Sequence, residues 1–281
     1  MGGRFRILAL DVDGTLLDSH GRLRASTAAA VARAAEAGIR PVLCTGRRYR
    51  RARPVAEQLG LDAPLVCNSG AIVKDPADHK TLWKADFDGD LFAEILRLFH
   101  ENDEPAVSFL DRRPEDFDFL VDDAETGRPH FDEYLRKNLE HALVEPGWHL
   151  RTQEAGHYHV CAIGSRPSML AFQEVILSAL EGRVRTFVQK SPRYVGTMCE
   201  VLRHDASKWE ALLHLAELWG ITPEEICAVG DDMNDLPMIE GAGFGVAMGH
   251  APAAVLAAAD HVTGDHDNDG VSMVVELLLS A

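Results

Sequence analysis

Two carboxylates, Asp11 and Asp13, close the apolar run Ile7-Leu8-Ala9-Leu10, and Gly14 and Thr15 follow directly. The unbroken run predicts a strand buried on both faces of a parallel sheet. Ionised carboxylates at the end of such a strand lose hydration and repel each other. The arrangement therefore calls for a cation, a proton-transfer task, or both. Gly14 lets the backbone turn sharply and come close to a ligand. A strand that merely stops at an acidic, glycine-containing turn has the same local pattern. An EF-hand loop does not, because its glycine comes sixth, whereas Gly14 stands earlier.

Similar strand ends recur along the chain. Pro41-Val42-Leu43-Cys44 ends on Thr45-Gly46-Arg47, and Pro64-Leu65-Val66-Cys67 ends on Asn68-Ser69-Gly70-Ala71. Ile226-Cys227-Ala228-Val229 ends on Gly230-Asp231-Asp232-Met233-Asn234-Asp235. Ser26 is the predicted cap of an alanine-rich helix that reaches Ala37 and ends at Gly38. Trp209, Leu212, Leu213, Leu215 and Ala216 mark another helix, and Thr222-Pro223-Glu224-Glu225 reads as a capping box. Phe244 to Met248 and His261 to Thr263 read as closing strands, and Val271 to Leu279 as a final helix. Apolar strands separated by helices predict βαβ units, with ligands beyond the carboxyl ends of the strands.

Between these stretches the character changes. The predicted order from Trp83 onward is a helix striped by Leu91, Phe92, Ile95, Leu96, Leu98 and Phe99, then a strand from Ala106 to Leu110. An acidic, irregular stretch follows from Asp111 to Asp123, then a helix near Phe131 to His141. Tyr158 to Ile163 and Val184 to Val188 read as strands around a helix from Met169 to Leu180. These elements predict a separate α/β domain at 84–194, inserted into a core made of 1–83 and 195–281.

The chain has 281 residues, 46% of them hydrophobic and 26% charged, which suits a soluble protein of two domains. A formal net charge of −16 argues against nucleic acid as a partner through a broad basic face. No apolar run approaches a membrane span, no signal peptide is visible, and Arg6 stands where a myristoylation signal wants Ser or Thr. The five cysteines lack CxxC spacing and read as reduced core thiols of a cytoplasmic protein.

Taken in order, DVDGTL from Asp11, Thr45 after an apolar strand, the distant Lys208, and GDxxND from Gly230 form one constellation. It resembles the motif set of the haloacid dehalogenase (HAD) superfamily of phosphotransferases. GDDMNDLPMI, GAGFGVAMGHA and the late NDGV are similar to its Cof-type branch in particular. The resemblance spans essentially the whole chain and implies a Rossmann-like parallel-sheet core with an inserted α/β cap. It further implies a Mg²⁺-dependent phosphatase acting on a small phosphorylated metabolite, such as a sugar phosphate or a phosphorylated cofactor. Asp11 would be the nucleophile that becomes an aspartyl phosphate, and Asp13 the general acid and base. Thr45 and the Gly46 N–H would hold phosphoryl oxygens, with Arg47 reaching substrate and Asn234 touching the phosphate. Lys208 would offset the charge of Asp11 and the phosphate. Mg²⁺ would lie on the Asp11 and Asp231 carboxylates and the Asp13 carbonyl, supported by Asp235, Asp232 and Asn268. A carboxylate attacks a phosphate dianion only when fixed positive charge offsets the repulsion, so this chemistry is consistent in itself. Two departures stand out: Trp209 where relatives have glycine after the lysine, and Ser69 where many have asparagine.

A sugar phosphomutase of the same superfamily shares these motifs, and a silent sugar-phosphate sensor is the alternative from another class. Asp265 to Glu276 matches the EF-hand spacing, but His261-Val262-Thr263-Gly264 reads as strand and turn where an entering helix is required. Gly241 to Gly245 does not fit GxGxxG. His157 and His159 alternate on one strand face as a zinc pair would, without declared partners, and the basic run Arg47 to Arg53 reads as a solvated helix face. The insert is the segment large enough for a lid, and Arg112, Arg113, His157 and His159 are its candidate substrate contacts. The expected assembly is a monomer or homodimer, with no membrane partner.

Overall fold

The computed structural model describes residues 4–111, 117–150, 156–190 and 195–280. It opens with β1 (Ile7–Leu10), α1 (Ala25–Glu36), β2 (Arg40–Leu43) and α2 (Tyr49–Leu59). Next come β3 (Leu65–Cys67), β4 (Ile72–Lys74) and β5 (Thr81–Lys84). The chain then runs through α3 (Gly89–Glu101), β6 (Val107–Leu110), β7 (Phe119–Val121), α4 (Pro129–Asn138) and β8 (Ala142–Val144). It continues with β9 (His157–Gly164), α5 (Arg166–Ala179), β10 (Val184–Lys190) and β11 (Thr197–Arg203). It closes with α6 (Lys208–Leu218), β12 (Ile226–Gly230), α7 (Leu236–Gly241), β13 (Phe244–Ala247), α8 (Ala253–Ala258), β14 (His261–Val262) and α9 (Gly270–Ser280).

The chain is an α/β protein of two compact units, Met1–Trp83 with Ser207–Ala281, and Lys84–Ala206. The first is built on a parallel sheet in the order β14-β13-β12-β1-β2. β1 lies between β2 and β12, with Leu10 opposite both Leu43 and Val229. That register brings the three strand ends, and so Asp11, Thr45 and Asp231, to one edge. All four residues of β1 are buried, as its unbroken apolar run requires.

Two details of the first unit differ from expectation. β3 does not join the parallel sheet beyond one bridge between Cys44 and Val66. It pairs antiparallel with β4 in a three-stranded sheet with β5, because the tight turn at Asn68–Gly70 sends the chain straight back. Helix α1 starts at Ala25 with Arg24 in the N-cap position and no side-chain cap, and Ser26 lies inside the first turn, where its hydroxyl donates to Asp269 Oδ1 at 2.5 Å.

The second unit holds a six-stranded sheet in the order β10-β11-β9-β6-β7-β8, antiparallel except for β7 with β8. Phe92, Ile95 and Phe99 of α3 pack with Phe172 and Ile176 of α5 and with Val160 and Val201 of the sheet. The chain leaves this unit after Ala206, later than the expected boundary at 194/195. The reason is β11, which hydrogen-bonds to both β9 and β10 and so belongs to this sheet. β7 lies inside the stretch expected to be irregular, a short apolar run among acidic residues.

All five cysteines are buried and unpaired in disulfides. Burial pushes the thiols of Cys44, Cys67 and Cys227 well up, and that of Cys199 to about 12. Among the described residues no helix is long and apolar enough to cross a membrane.

Candidate active site

Lys208 opens α6, whose first turn is capped by Ser207: its Oγ accepts from the N–H of Trp209 at 3.1 Å and of Glu210 at 3.3 Å. The lysine is fully buried, with its Nζ donating to Asp11 Oδ1 at 2.6 Å and Asp235 Oδ1 at 2.5 Å. Burial opposes its charge, but the two carboxylates outweigh that and hold the ammonium above its ordinary range. Burial in turn pushes the Asp11 carboxyl well up, against the pull of Lys208, and Asp235 moves the same way for the same cause. Asp235 Oδ2 accepts from the backbone N–H of Asp231 at 2.9 Å and of Asp232 at 3.0 Å. Both of its oxygens are thus committed to protein donors.

Asp231 is placed differently. Thr15 Oγ1 donates to its Oδ1 at 3.0 Å, and His250 Nε2 lies 3.5 Å from its Oδ2. That hydrogen bond, against burial, lifts His250 above its ordinary value. Gly14, at φ 86°, passes so close that a Cβ there would meet the Asp231 carboxylate at 2.3 Å. The close approach inferred for this glycine is therefore to another strand end. Asp11, Asp231 and Asp235 each offer an oxygen, all within 4.8 Å of one another. An all-oxygen set with a desolvated carboxylate suits a hard cation. Of the three, Asp235 is the most engaged, with Lys208 and two backbone N–H groups already on its oxygens.

On the other flank, Arg47 donates Nε to Asp13 Oδ2 at 2.5 Å and a terminal nitrogen to Asp13 Oδ1 at 2.6 Å. Thr45 is buried at the end of β2, and its Oγ1 accepts from the Arg47 N–H at 3.1 Å, which closes the loop around Gly46. Asn234, also buried, donates Nδ2 to Ser69 Oγ at 3.1 Å.

Not every expected residue joins this group. Asn268 is exposed and donates to both oxygens of Asp265 at 2.9 Å. Within the EF-hand-like stretch, Asp269 pairs with Ser26 and Arg24, and Glu276 with Arg33. Those carboxylates are spent on protein partners. Asp232 accepts the N–H of Met233 at 2.7 Å. In the second unit, Arg112 and Arg113 lie outside the described residues. His157 and His159 are not surface groups but are 3% and 1% exposed. A register shift between Phe109 and Leu110 separates their surroundings. His157 stacks on Phe92, with Ser108 Oγ 2.7 Å from its Nδ1, while His159 stacks on Phe109. The two rings thus stack on different aromatics.

Thr15 and His250 were given no role in the sequence and Ser69 only that of a departure from its relatives, although all three hold site residues. Thr15 was signalled by its place straight after Gly14. His250 carried no local signal, because its partner is distant in the chain.

A family model described as haloacid dehalogenase-like hydrolase matches residues 8–275. The chain belongs to this family. As a HAD hydrolase it is 30% identical over 279 residues to the pyridoxal phosphate phosphatase YbhA of Escherichia coli (strain K12), covering 96% of this chain and 97% of that one. It is 29% identical to the HMP-PP phosphatase of Serratia proteamaculans (strain 568), covering 88% of this chain and 85% of that protein. Among solved structures, the HAD phosphatase BT1666 from Bacteroides thetaiotaomicron is 25% identical with a TM-score of 0.78, covering 99% of this chain and 96% of that one. The family match makes the chain a hydrolase of this family, and the relatives named are phosphatases.

Proposed function

We propose that this chain is a Mg²⁺-dependent phosphatase that hydrolyses a small phosphorylated metabolite through an aspartyl-phosphate intermediate. The observation that carries this reading is the buried Lys208 shared by Asp11 and Asp235, with Asp231 beside them. In it, an Asp11 oxygen forms a bond to phosphorus as the bond to the leaving alcohol breaks, and Asp13 supplies that alcohol's proton. Asp13 then takes a proton from water, whose oxygen displaces Asp11 and releases inorganic phosphate. Thr45, the Gly46 N–H, Arg47 and Asn234 hold the phosphoryl oxygens, and Lys208 offsets the charge that Asp11 and the phosphate share. The Asp11 and Asp231 carboxylates and the Asp13 carbonyl would hold Mg²⁺, which would supply the remaining positive charge. The names of the relatives, which act on pyridoxal phosphate and HMP-PP, support a phosphorylated cofactor or precursor as the substrate class.

Release of inorganic phosphate from a panel of phosphorylated metabolites, led by pyridoxal phosphate and sugar phosphates, tests this. Wild-type protein with Mg²⁺ releases phosphate, while Asp11→Asn and Asp13→Asn, still folded, release almost none. Full turnover in either variant, or in excess chelator, overturns the mechanism. Transfer of the phosphoryl group to a sugar without phosphate release overturns the hydrolase in favour of a mutase.

A further inference from the structure

The turn Asn68–Gly70 after β3 touches three of the segments that build the site. Its residues take successive left-handed conformations, with φ of 48°, 54° and 93° at Asn68, Ser69 and Gly70, and all three are buried. Left-handed backbone at consecutive non-glycine residues is strained and persists only where the surroundings impose it. Here the surroundings are the site itself. The Asn68 N–H donates to Arg47 O at 2.9 Å, and the Ser69 N–H to Thr45 O at 3.0 Å. Ser69 Oγ accepts from Asn234 Nδ2 at 3.1 Å. Gly70 lies against the start of α6, where a Cβ would come 2.0 Å from the Ser207 carbonyl and 2.4 Å from the Lys208 nitrogen.

Glycine would adopt the Ser69 conformation without strain, so the serine is unfavourable for the backbone there. What it adds is a hydroxyl that meets Asn234. An asparagine amide is loosely held about its last torsion, and a single fixed hydrogen bond decides which way it faces. We propose that Ser69 is a positioning residue for phosphate binding: it fixes the Asn234 amide while its turn registers the Thr45–Arg47 loop against Lys208. The inference rests on the proposed reading of Asn234 as a phosphate ligand.

The test is Ser69→Gly, which removes the hydroxyl and relieves the backbone. The expected result is a melting temperature equal to or above wild type. With it, KM for p-nitrophenyl phosphate and the inhibition constant of inorganic phosphate each rise about tenfold, the worth of one lost hydrogen bond, with a smaller change in kcat. Asn234→Ala weakens phosphate to a similar degree, and adding Ser69→Gly to it weakens phosphate no further. Wild-type phosphate affinity in Ser69→Gly, beside an impaired Asn234→Ala, overturns the positioning role alone. Wild-type affinity in Asn234→Ala overturns both this role and the reading of Asn234. Additive losses in the double variant, or a melting temperature that falls in step with affinity, reduce Ser69 to a structural part and overturn the proposal. Should Ser69→Gly fail to fold, Ser69→Ala is read on the same inhibition constant with the same two outcomes.

Discussion

Arg47 grips Asp13 through two parallel hydrogen bonds, of 2.5 and 2.6 Å, to both carboxylate oxygens. This fork-on-fork pairing is available to a planar guanidinium and not to an ammonium. In that posture both Asp13 oxygens already carry a charge-assisted hydrogen bond, and Arg47 would release Asp13 for the proposed proton transfer by exchanging this partner for another anion. An incoming phosphoryl group is such an anion. Arg47→Lys is therefore expected to raise KM for p-nitrophenyl phosphate by about ten- to a hundredfold while the protein stays folded. A wild-type KM for this variant, measured by steady-state kinetics, would show that the fork serves only to hold Asp13.

Lys208 matters for stability as much as for chemistry. It is the cation donating to both Asp11 and Asp235, and all three are buried. Lys208→Met keeps the volume and removes the charge, leaving two carboxylates without their counter-ion. Stability should fall by about 3–5 kcal/mol, the usual cost of stripping one partner from a buried ionic group. Turnover should fall by on the order of a thousandfold, as for other lost charge-stabilising groups. Urea unfolding and phosphate release check the two separately. A stable but inactive variant would mean that the carboxylates take up protons without difficulty.

How much of this was legible in the sequence depended on whether a residue's partners are local or distant. The strand ends carrying Asp11, Thr45 and Asp231 could be read because fully buried parallel strands are unbroken apolar runs. β7 and β8 could not, since three residues show no periodicity. β11 lies in a run that includes Glu200, and its membership of the second sheet is set by its partners β9 and β10. In the site, the motif residues were found by type and order. The ties that orient them, Thr15 to Asp231 and Ser69 to Asn234, join segments far apart in the chain, so their partners could not be read locally.

The commitment of Asp235 to Lys208 and two backbone donors has a measurable consequence for the metal. If Asp11 and Asp231 are the carboxylate ligands, Mg²⁺ at a hundred times its dissociation constant should stabilise wild-type protein by about 2.7 kcal/mol. Asp231→Asn should abolish that gain. Thr15→Val should diminish it, because Thr15 Oγ1 holds Asp231 Oδ1 at 3.0 Å. Thermal unfolding with and without Mg²⁺ reads this without any substrate. An undiminished rise in Asp231→Asn would place the cation elsewhere.

The last prediction concerns pH and the second unit. His159 is 1% exposed, stacked on Phe109, with Glu200 Oε1 3.6 Å from its Nε2. Burial dominates and pushes the imidazole from 6.5 down to about 3. The unfolded chain therefore binds a proton between those values that the folded chain refuses. Stability tied to this histidine is complete above pH 6.5 and is lost progressively as pH falls toward 3. At pH 5 the loss amounts to about 2 kcal/mol relative to neutral pH. His159→Leu, which has nothing to protonate, should lack this increment of acid sensitivity even if its stability at pH 7 is lower. The measurement is urea unfolding followed by tryptophan fluorescence at pH 7 and pH 5, with the change across that interval compared between the two proteins. Equal changes would mean that the imidazole takes up its proton inside the fold, with Glu200 as the counter-charge.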